Sequence, residues 1–195
     1  MNGHWSIWVM DANGGNRQQQ LTGNDEDAGW PVWSPDGGKI LYWAFKDGNQ
    51  DVWVMDVDGS NKRRLTKHPE LDGDGRWSPD GERIAFVSER TGKGDLYMMN
   101  ADGSNPKRLT LTEAFDWTPR WSPDGTKVAY VSNETEQFGI WTVDVETLER
   151  RHLTPEPGSS FVPHWSPDGS QILYHGWRGD PVKGGYDLAL VKPDG

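Results

Sequence analysis

The sequence predicts an all-β protein built from repeated antiparallel sheets, and three observations support this prediction. The pentapeptide Trp-Ser-Pro-Asp-Gly occurs four times in 195 residues at a constant spacing of 44, beginning at Trp33, Trp77, Trp121 and Trp165. A Leu-Thr pair keeps the same period, beginning at Leu21, Leu65, Leu109 and Leu153. No helical pattern of apolar residues runs for a useful length. A fixed period of this size is typical of repeat proteins, so nearly the whole chain is expected to be one array.

Each repeat is expected to contain four short strands, as residues 66–110 illustrate. The expected strands, labelled a (inner) to d (outer), are 76–78, 83–88, 95–100 and 106–110. The first two are joined by Ser78–Gly81, where Pro presets the backbone, Asp bonds the following amides and Gly accepts a positive φ. Asp102-Gly103 is a hairpin signal, and Lys107 and Arg108 suit an exposed sheet edge. Four antiparallel strands per repeat of this length form one blade of a β-propeller.

The repeat register divides the chain into five segments. Residues 1–22 are expected to form a half blade of strands c and d, segments 23–66, 67–110 and 111–154 full blades, and 155–195 strands a, b and c of a last blade. The total is 17 strands, about four blades, whereas four closed blades need 16 and five need 20. The chain is therefore a fragment of a larger propeller, a ring closed through a composite blade, or one of two chains that form about eight blades. Unpaired strand edges favour the fragment or the oligomer.

These residues resemble the TolB-type β-propeller repeat, which occurs in TolB and in the propellers of prolyl-oligopeptidase-like and tricorn-like peptidases. The resemblance covers essentially the whole chain and rests on the four Trp-Ser-Pro-Asp-Gly motifs. It implies a periplasmic or extracellular location. It also implies a protein or peptide partner, as TolB propellers engage the peptidoglycan-associated lipoprotein. The fold hosts many functions, so the resemblance alone does not select one.

Composition and motifs exclude several classes of function. The net charge is −10, with 30 acidic and 20 basic residues, so the basic footprint of a nucleic-acid-binding protein is missing. There is no Cys for thiol chemistry, and no apolar run approaches the length of a membrane span. Residues 1–5 show no signal-peptide pattern. Serine-hydrolase, zinc-protease and phosphate-loop motifs are missing, so neither a catalytic residue nor a cofactor is expected.

The repeated turn aspartates are expected to be structural. The four motif copies place them at Asp36, Asp80, Asp124 and Asp168. An aspartate at this position caps its own hairpin through the following amides, and this role is sufficient to explain it. A calcium loop of the EF-hand kind beginning at Asp56 would need a Glu where the chain has Lys67. No metal site is therefore predicted.

The candidate ligand site is the mouth of the central channel. The loops between strands d and a differ from repeat to repeat while the rest recurs, as functional loops on a fixed scaffold do. They and the b–c loops are expected to surround the mouth, with Arg76, Arg120 and His164 facing the channel. The predicted site comprises Asp27, Trp30, Asp72, Asp74, Arg76, Asp116, Trp117, Arg120, Phe161, His164, Trp177 and Arg178. Such a mouth suits a peptide, a sugar or a cation, and ordinary solvated loops are the alternative interpretation.

Four functional hypotheses follow from these observations. The first is a non-catalytic module that binds a protein or peptide, or serves as a scaffold, through the d–a and b–c loops. The second is the regulatory propeller of a prolyl-oligopeptidase-like or tricorn-like peptidase. The third is a glycan-binding propeller with Trp30, Trp117 and Trp177 as stacking platforms. The fourth is a self-assembling repeat protein without a ligand, in which open terminal blades form a homo-oligomer.

Overall fold

The computed structural model describes residues 4–13, 18–23, 25–154, 158–177 and 185–194. Within these ranges the regular elements are 17 β-strands in five antiparallel sheets. None of the described residues belongs to a helix that is long and apolar enough to cross a membrane. The all-β propeller architecture and the strand count predicted from the repeat are confirmed.

The sheets follow one another along the chain. The opening sheet holds β1 (Trp8–Met10) and β2 (Gln18–Gln20). The first full blade holds β3 (Asp27–Trp33), β4 (Lys39–Lys46), β5 (Asn49–Asp56) and β6 (Arg63–Arg64). The second holds β7 (Asp72–Trp77), β8 (Arg83–Ser88), β9 (Asp95–Asn100) and β10 (Lys107–Arg108). The third holds β11 (Asp116–Trp121), β12 (Lys127–Ser132), β13 (Gly139–Asp144) and β14 (Arg150–His152). The last sheet holds β15 (Ser159–Trp165), β16 (Ile172–Trp177) and β17 (Tyr186–Val191).

Within each sheet, strands adjacent in sequence are adjacent in space. The strands of each sheet fall inside one of the five segments, whose exact bounds stay a prediction. In the second full blade, strands b and c have the predicted bounds, and strand d has only two residues, Lys107 and Arg108. Strand a begins at Asp72 rather than at Arg76, because it includes a bulge before Arg76 that the residue types do not predict.

The bulge recurs at one position of all four inner strands. Each inner strand shifts register against its neighbour there. The residue at the shift has a positive φ in each blade: Trp30 (49°), Asp74 (46°), Thr118 (53°) and Val162 (53°). Non-glycine residues seldom adopt this conformation, so its recurrence in all four inner strands shows that the bulge is a regular feature of the repeat. Because a bulge re-aims the neighbouring side chains, it determines what faces the channel.

The Trp-Ser-Pro-Asp-Gly segments form self-capped turns. In the second full blade, Asp80 Oδ1 accepts hydrogen bonds from Ser78 Oγ at 2.5 Å and from the Glu82 backbone N–H at 3.0 Å. The same pair of bonds recurs at Asp36, Asp124 and Asp168. Hydrogen bonds to the carboxylate lower the pKa of all four groups, that of Asp168 to about 2. These bonds give the turn aspartates the structural role expected from the sequence.

Two of the motif tryptophans, Trp121 and Trp165, connect successive blades by hydrogen bonds. Trp121 Nε1 donates to the carbonyl oxygen of Arg76 at 3.0 Å, and Trp165 Nε1 donates to that of Arg120 at 3.0 Å. Each indole therefore holds the inner strand of the preceding blade. The apolar core also lies between blades, since one cluster joins Leu41 and Val52 to Phe86 of the next blade. This packing places the inner strands side by side around the channel.

The Leu-Thr pairs close the short outer strands. Thr66 Oγ1 accepts from the Val52 backbone N–H at 3.0 Å, and Thr110 Oγ1 accepts from that of Leu96 at 3.0 Å. The preceding leucine is buried in each case. A two-residue strand makes few ladder bonds, so the threonine hydroxyl supplies the next one and fixes the end of the blade.

Candidate functional site

Two adjoining cavities open along the inner strands. The mouth cavity has a volume of 310 Å³ and is lined by Trp30, Gln50, Leu71, Gly73, Asp74, Val87, Glu89, Gly94, Phe115, Trp117 and Thr118. The channel cavity has a volume of 530 Å³ and is lined by Trp30, Pro31, Val32, Asp74, Arg76, Thr118, Arg120 and His164. Three residues are common to both: Trp30, Asp74 and Thr118. These three are the bulge residues of successive blades, so the bulge builds the junction between the cavities.

The mouth cavity is predominantly apolar. Leu71 and Phe115 come from equivalent positions of two d–a loops, and Glu89 and Gly94 come from a b–c loop. The side chains of Trp30, Leu71 and Phe115 are exposed although they are large and hydrophobic. Exposed apolar side chains that meet in one concavity are typical of a ligand-binding surface.

Trp117 belongs to an aromatic row that runs across the loop face. Its ring meets Phe115 edge-on at 6.3 Å and Phe138 edge-on at 5.0 Å between centroids. The row continues from Phe138 to Phe161 at 5.4 Å and from Phe161 to Tyr186 at 6.3 Å. Edge-to-face pairs stabilise one another beyond the area they bury. The Trp117 ring is therefore held in place rather than free to adapt.

The channel cavity collects cationic side chains from one repeat position. Arg76, Arg120 and His164 occupy this position in three successive inner strands, and Val32 occupies it in the first full blade. Arg76 Nη2 lies 2.7 Å from Asp74 Oδ1, but that oxygen has no partner with hydrogen-bond geometry. Arg120 Nη1 donates only to the adjacent Pro119 carbonyl oxygen, at 2.8 Å. Within the part of the chain that the structure describes, no carboxylate lies within 4.0 Å of Arg120.

The cavity strongly perturbs these groups. Burial raises the pKa of the Asp74 carboxyl, against the opposing effects of the Arg76 and Arg120 charges and a hydrogen bond from the Thr118 backbone N–H. Burial also lowers the pKa of the Arg120 guanidinium to about 10, and the Arg76 charge adds to that shift. Desolvation lowers the pKa of His164, with Arg120, His175 and Arg76 contributing. The lowered pKa favours the neutral form of the His164 imidazole.

Two predicted site residues lie in the interior instead of at the mouth. Asp72 is 0 % exposed and forms an ion pair with Arg90 Nη2 at 3.2 Å, and Asp116 is 0 % exposed and accepts a hydrogen bond from Thr112 Oγ1 at 3.2 Å. The expectation that these carboxylates line the channel mouth is corrected, because strands β7 and β11 begin at these residues and bury both side chains. They cannot reach a ligand and are left out of the candidate site.

Three other predicted residues with described positions, Asp27, Phe161 and Trp177, line neither cavity. Asp27 Oδ1 accepts from the Trp5 backbone N–H at 2.9 Å and so ties the opening segment to β3. Phe161 is part of the aromatic row, and Trp177 is an exposed residue that pairs with Tyr186 across β16 and β17. Arg178 falls outside the described residues. The structure thus brings together six of the predicted residues: Trp30, Asp74, Arg76, Trp117, Arg120 and His164.

Sequence reasoning missed Leu71, Phe115 and Thr118 as lining residues. The 44-residue register contains a signal for them, because Leu71 and Phe115 are equivalent and Thr118 is equivalent to Asp74. An apolar residue repeated at a loop position is unusual enough to indicate a binding surface. For metals, no group of three or more candidate ligands is found among the residues with described positions.

A family model described as the TolB beta propeller domain matches residues 1–180. This chain belongs to the TolB β-propeller family. A curated relative, the Tol-Pal system protein TolB of Thioalkalivibrio sulfidiphilus, is 33% identical over 61 residues, which are 31% of this chain and 14% of that protein. The TolB-family chain thus matches only a short part of this relative.

Solved structures show the same fold. The crystal structure of TolB from Acinetobacter baumannii superimposes with a TM-score of 0.82 and 22% identity, covering 97% of this chain and 46% of that one. A puromycin-hydrolyzing peptidase of Mycobacterium tuberculosis superimposes with a TM-score of 0.70 and 20% identity, covering 94% of this chain and 29% of that one. At these identities the likeness is one of fold. The TolB-family chain spans less than half of either structure.

Proposed function

We propose that this TolB-family chain is a non-catalytic binding module that holds a segment of a protein partner in the mouth cavity. One observation carries the proposal: Trp30, Leu71 and Phe115, from three successive blades, expose large apolar side chains in one concavity. Aromatic side chains in such pockets supply much of the affinity of protein interfaces. The rigid sheets below hold the variable loops in place, as binding scaffolds do.

The partner that we propose is a protein of the Tol-Pal type, and the location is periplasmic or extracellular. The proposal is supported by the curated relative, whose name assigns it to the Tol-Pal system. The peptidoglycan-associated lipoprotein is the partner that the family resemblance implies. The acidic chain, with a net charge of −10, favours a partner surface that carries basic residues around an apolar anchor.

The chemistry of the cavities supports a non-catalytic role. Thr118 carries the single hydroxyl among the described residues that line them. Its Oγ1 has no hydrogen-bond partner, so no base activates it as a nucleophile. His164 lines the channel cavity, and desolvation lowers its pKa, with the charges of the two arginines adding to the shift. This set of groups binds and orients better than it transfers protons.

A second candidate is the propeller of a peptidase, which the fold of the Mycobacterium tuberculosis enzyme favours. In that case the mouth cavity contacts a hydrolase domain or its peptide substrate. The two candidates differ in the domain expected beside the propeller. A longer reading frame that also encodes a domain with a Gly-x-Ser-x-Gly motif would support the peptidase. The glycan alternative fits less well, because the Trp117 ring already packs against Phe115 and Phe138.

Binding of the soluble domain of the peptidoglycan-associated lipoprotein from the same organism, measured by calorimetry, tests the first proposal. Trp30→Ala and Phe115→Ala are expected to weaken binding by about 30-fold each, since both remove an anchor from the mouth cavity. Trp8→Ala is the matched control, because Trp8 is equally exposed on β1 but lines neither cavity. Unchanged affinity in the two mouth variants, with thermal midpoints at the wild-type value, would refute the site.

A further inference from the structure

The channel cavity holds an excess of positive charge inside an acidic protein. Arg76 and Arg120 point into it from neighbouring inner strands, and Asp74 is the one carboxylate among the described residues that line it. Two guanidiniums therefore face one carboxyl group in this cavity. In a chain of net charge −10, a cationic cavity is not an average property of the surface.

Arg120 is the arginine that no carboxylate contacts. Its guanidinium is partly buried, and among the residues whose positions are described it has a carbonyl acceptor beside it, Pro119 at 2.8 Å, while Asp74 acts on it only from a distance. A partly buried charge without a contacting counter-ion is costly, and an anionic ligand that contacts it removes this cost. The planar fork of arginine donors matches a carboxylate in a bidentate geometry. Arg120 is therefore preorganised to receive an anion.

The backbone holds both arginines in place. The carbonyl oxygens of Arg76 and Arg120 accept the indole N–H groups of Trp121 and Trp165, each at 3.0 Å. These bonds fix each inner strand against the next blade. The main chain at both arginines is thus part of the rigid frame, so little backbone ordering is needed when a ligand binds.

We propose that the channel cavity binds one carboxylate between Arg120 and Arg76, and that this carboxylate is the C-terminus of a peptide whose last side chain is apolar and fills the mouth cavity. The inference rests on the proposed function and names the ligand class of the same site. The shared residues Trp30, Asp74 and Thr118 make the cavities continuous, so an apolar group and an anion must lie next to each other in the ligand. An apolar C-terminal residue has this arrangement.

The charge balance selects a carboxylate over a phosphate. Two guanidiniums beside one carboxyl group suit a ligand with one negative charge, and an ionised Asp74, 2.7 Å from Arg76, repels a second one. The Arg76 side chain still has donors to offer, because its contact with Asp74 Oδ1 lacks hydrogen-bond geometry. The bound carboxylate and Asp74 would then share the two guanidiniums.

Two peptides test the inference: acetyl-Gly-Ala-Gly-Ala-Phe with a free C-terminal carboxylate, and the same peptide as its C-terminal amide. Calorimetry on the wild-type chain is expected to show the free acid binding at least about tenfold more tightly, as a charge-assisted bond requires. Arg120→Gln is expected to abolish this difference, and Arg120→Lys to restore part of it. Arg63→Gln is the control, since Arg63 lies on outer strand β6 and lines neither cavity.

The outcomes separate this inference from the proposed function. Equal affinity for the two peptides, or no binding of the free acid at millimolar concentration, overturns the carboxylate site. Persistence of the acid–amide difference in Arg120→Gln also overturns it. If inorganic phosphate displaces the free acid better than acetate does, the cavity does not select a monoanion. Each of these results leaves the mouth proposal standing when Trp30→Ala still weakens binding of the lipoprotein domain.

Discussion

At the scale of single residues, Asp74 is a buried carboxyl in the candidate site whose charge costs folding free energy. The residue is 6 % exposed, and burial raises the pKa of its carboxyl above the ordinary value of 3.8. Arg76 and Arg120 offset only part of this cost. A fully apolar residue here would pack without that penalty, so the charge is retained against stability. Residues of this kind are enriched at functional sites.

Asp74→Asn is expected to change the pH dependence of stability. A carboxyl whose folded pKa is raised costs nothing at low pH and destabilises as pH rises from 3.8 through the folded pKa. The asparagine variant lacks this cost and keeps the acceptor for the Thr118 N–H. Urea unfolding between pH 4 and pH 7 measures the free energy of unfolding of both proteins. The value for Asp74→Asn minus the value for the wild type is expected to increase as pH rises. A difference that is constant, or that shrinks with rising pH, would contradict this account.

At the scale of the element, the sequence predicts strands b and c and misjudges strand a. The run Ile84–Val87 and the turn at Asp80 are explicit signals for a strand and its hairpin. The bulge carries no common residue, since tryptophan, aspartate, threonine and valine occupy it in turn. Only the dihedral angle is shared, so propensity arguments begin strand a four residues too late, at Arg76 instead of Asp72. For the same reason Asp72 and Asp116 look like loop carboxylates, although they lie within the sheets.

Thr118→Gly tests the strain of the bulge. A β-branched residue at φ 53° is strained, and Thr118 Oγ1 is buried without a hydrogen-bond partner. Removing both effects is expected to raise the free energy of unfolding by about 1 kcal/mol. The control is Thr142→Gly on β13, a buried strand residue that is not among those with a positive φ, where the loss of side chain should be destabilising. Equal destabilisation by the two substitutions in a denaturant titration would show that the bulge stores no strain.

At the scale of the whole molecule, the terminal sheets expose faces that are buried in the inner blades. Trp33 is 54 % exposed, whereas the equivalent Trp121 is 9 % exposed. Leu188 on β17 is 68 % exposed, whereas the equivalent Ile140 on β13 is 0 % exposed. In the inner blades a neighbouring sheet of the same repeat covers these positions. A second copy of the chain offers a sheet of the same kind, so we propose self-association through the terminal sheets.

Leu188→Lys is expected to weaken this association. A charge on the exposed face of β17 must be desolvated before another sheet can cover it. Light scattering coupled to size exclusion should show that the solution mass of the wild type rises above the chain mass of 22.0 kDa as concentration increases. The solution mass of the variant should stay at 22.0 kDa. Lys192→Ala, outside the strand, is the control. A wild type that stays monomeric over the same concentrations refutes self-association and leaves the two cavities unaffected.

We expect a partner to bind where the inner-strand bulges join the mouth and channel cavities. The deciding measurement is an NMR titration with the lipoprotein domain that follows the indole N–H signals of the tryptophans. The Trp30 and Trp117 signals should shift, while those of Trp8 on β1 and Trp141 on β13 should stay unchanged. Shifts confined to Trp8 or Trp141, or no shift of Trp30 at saturation, would place the partner elsewhere on the molecule.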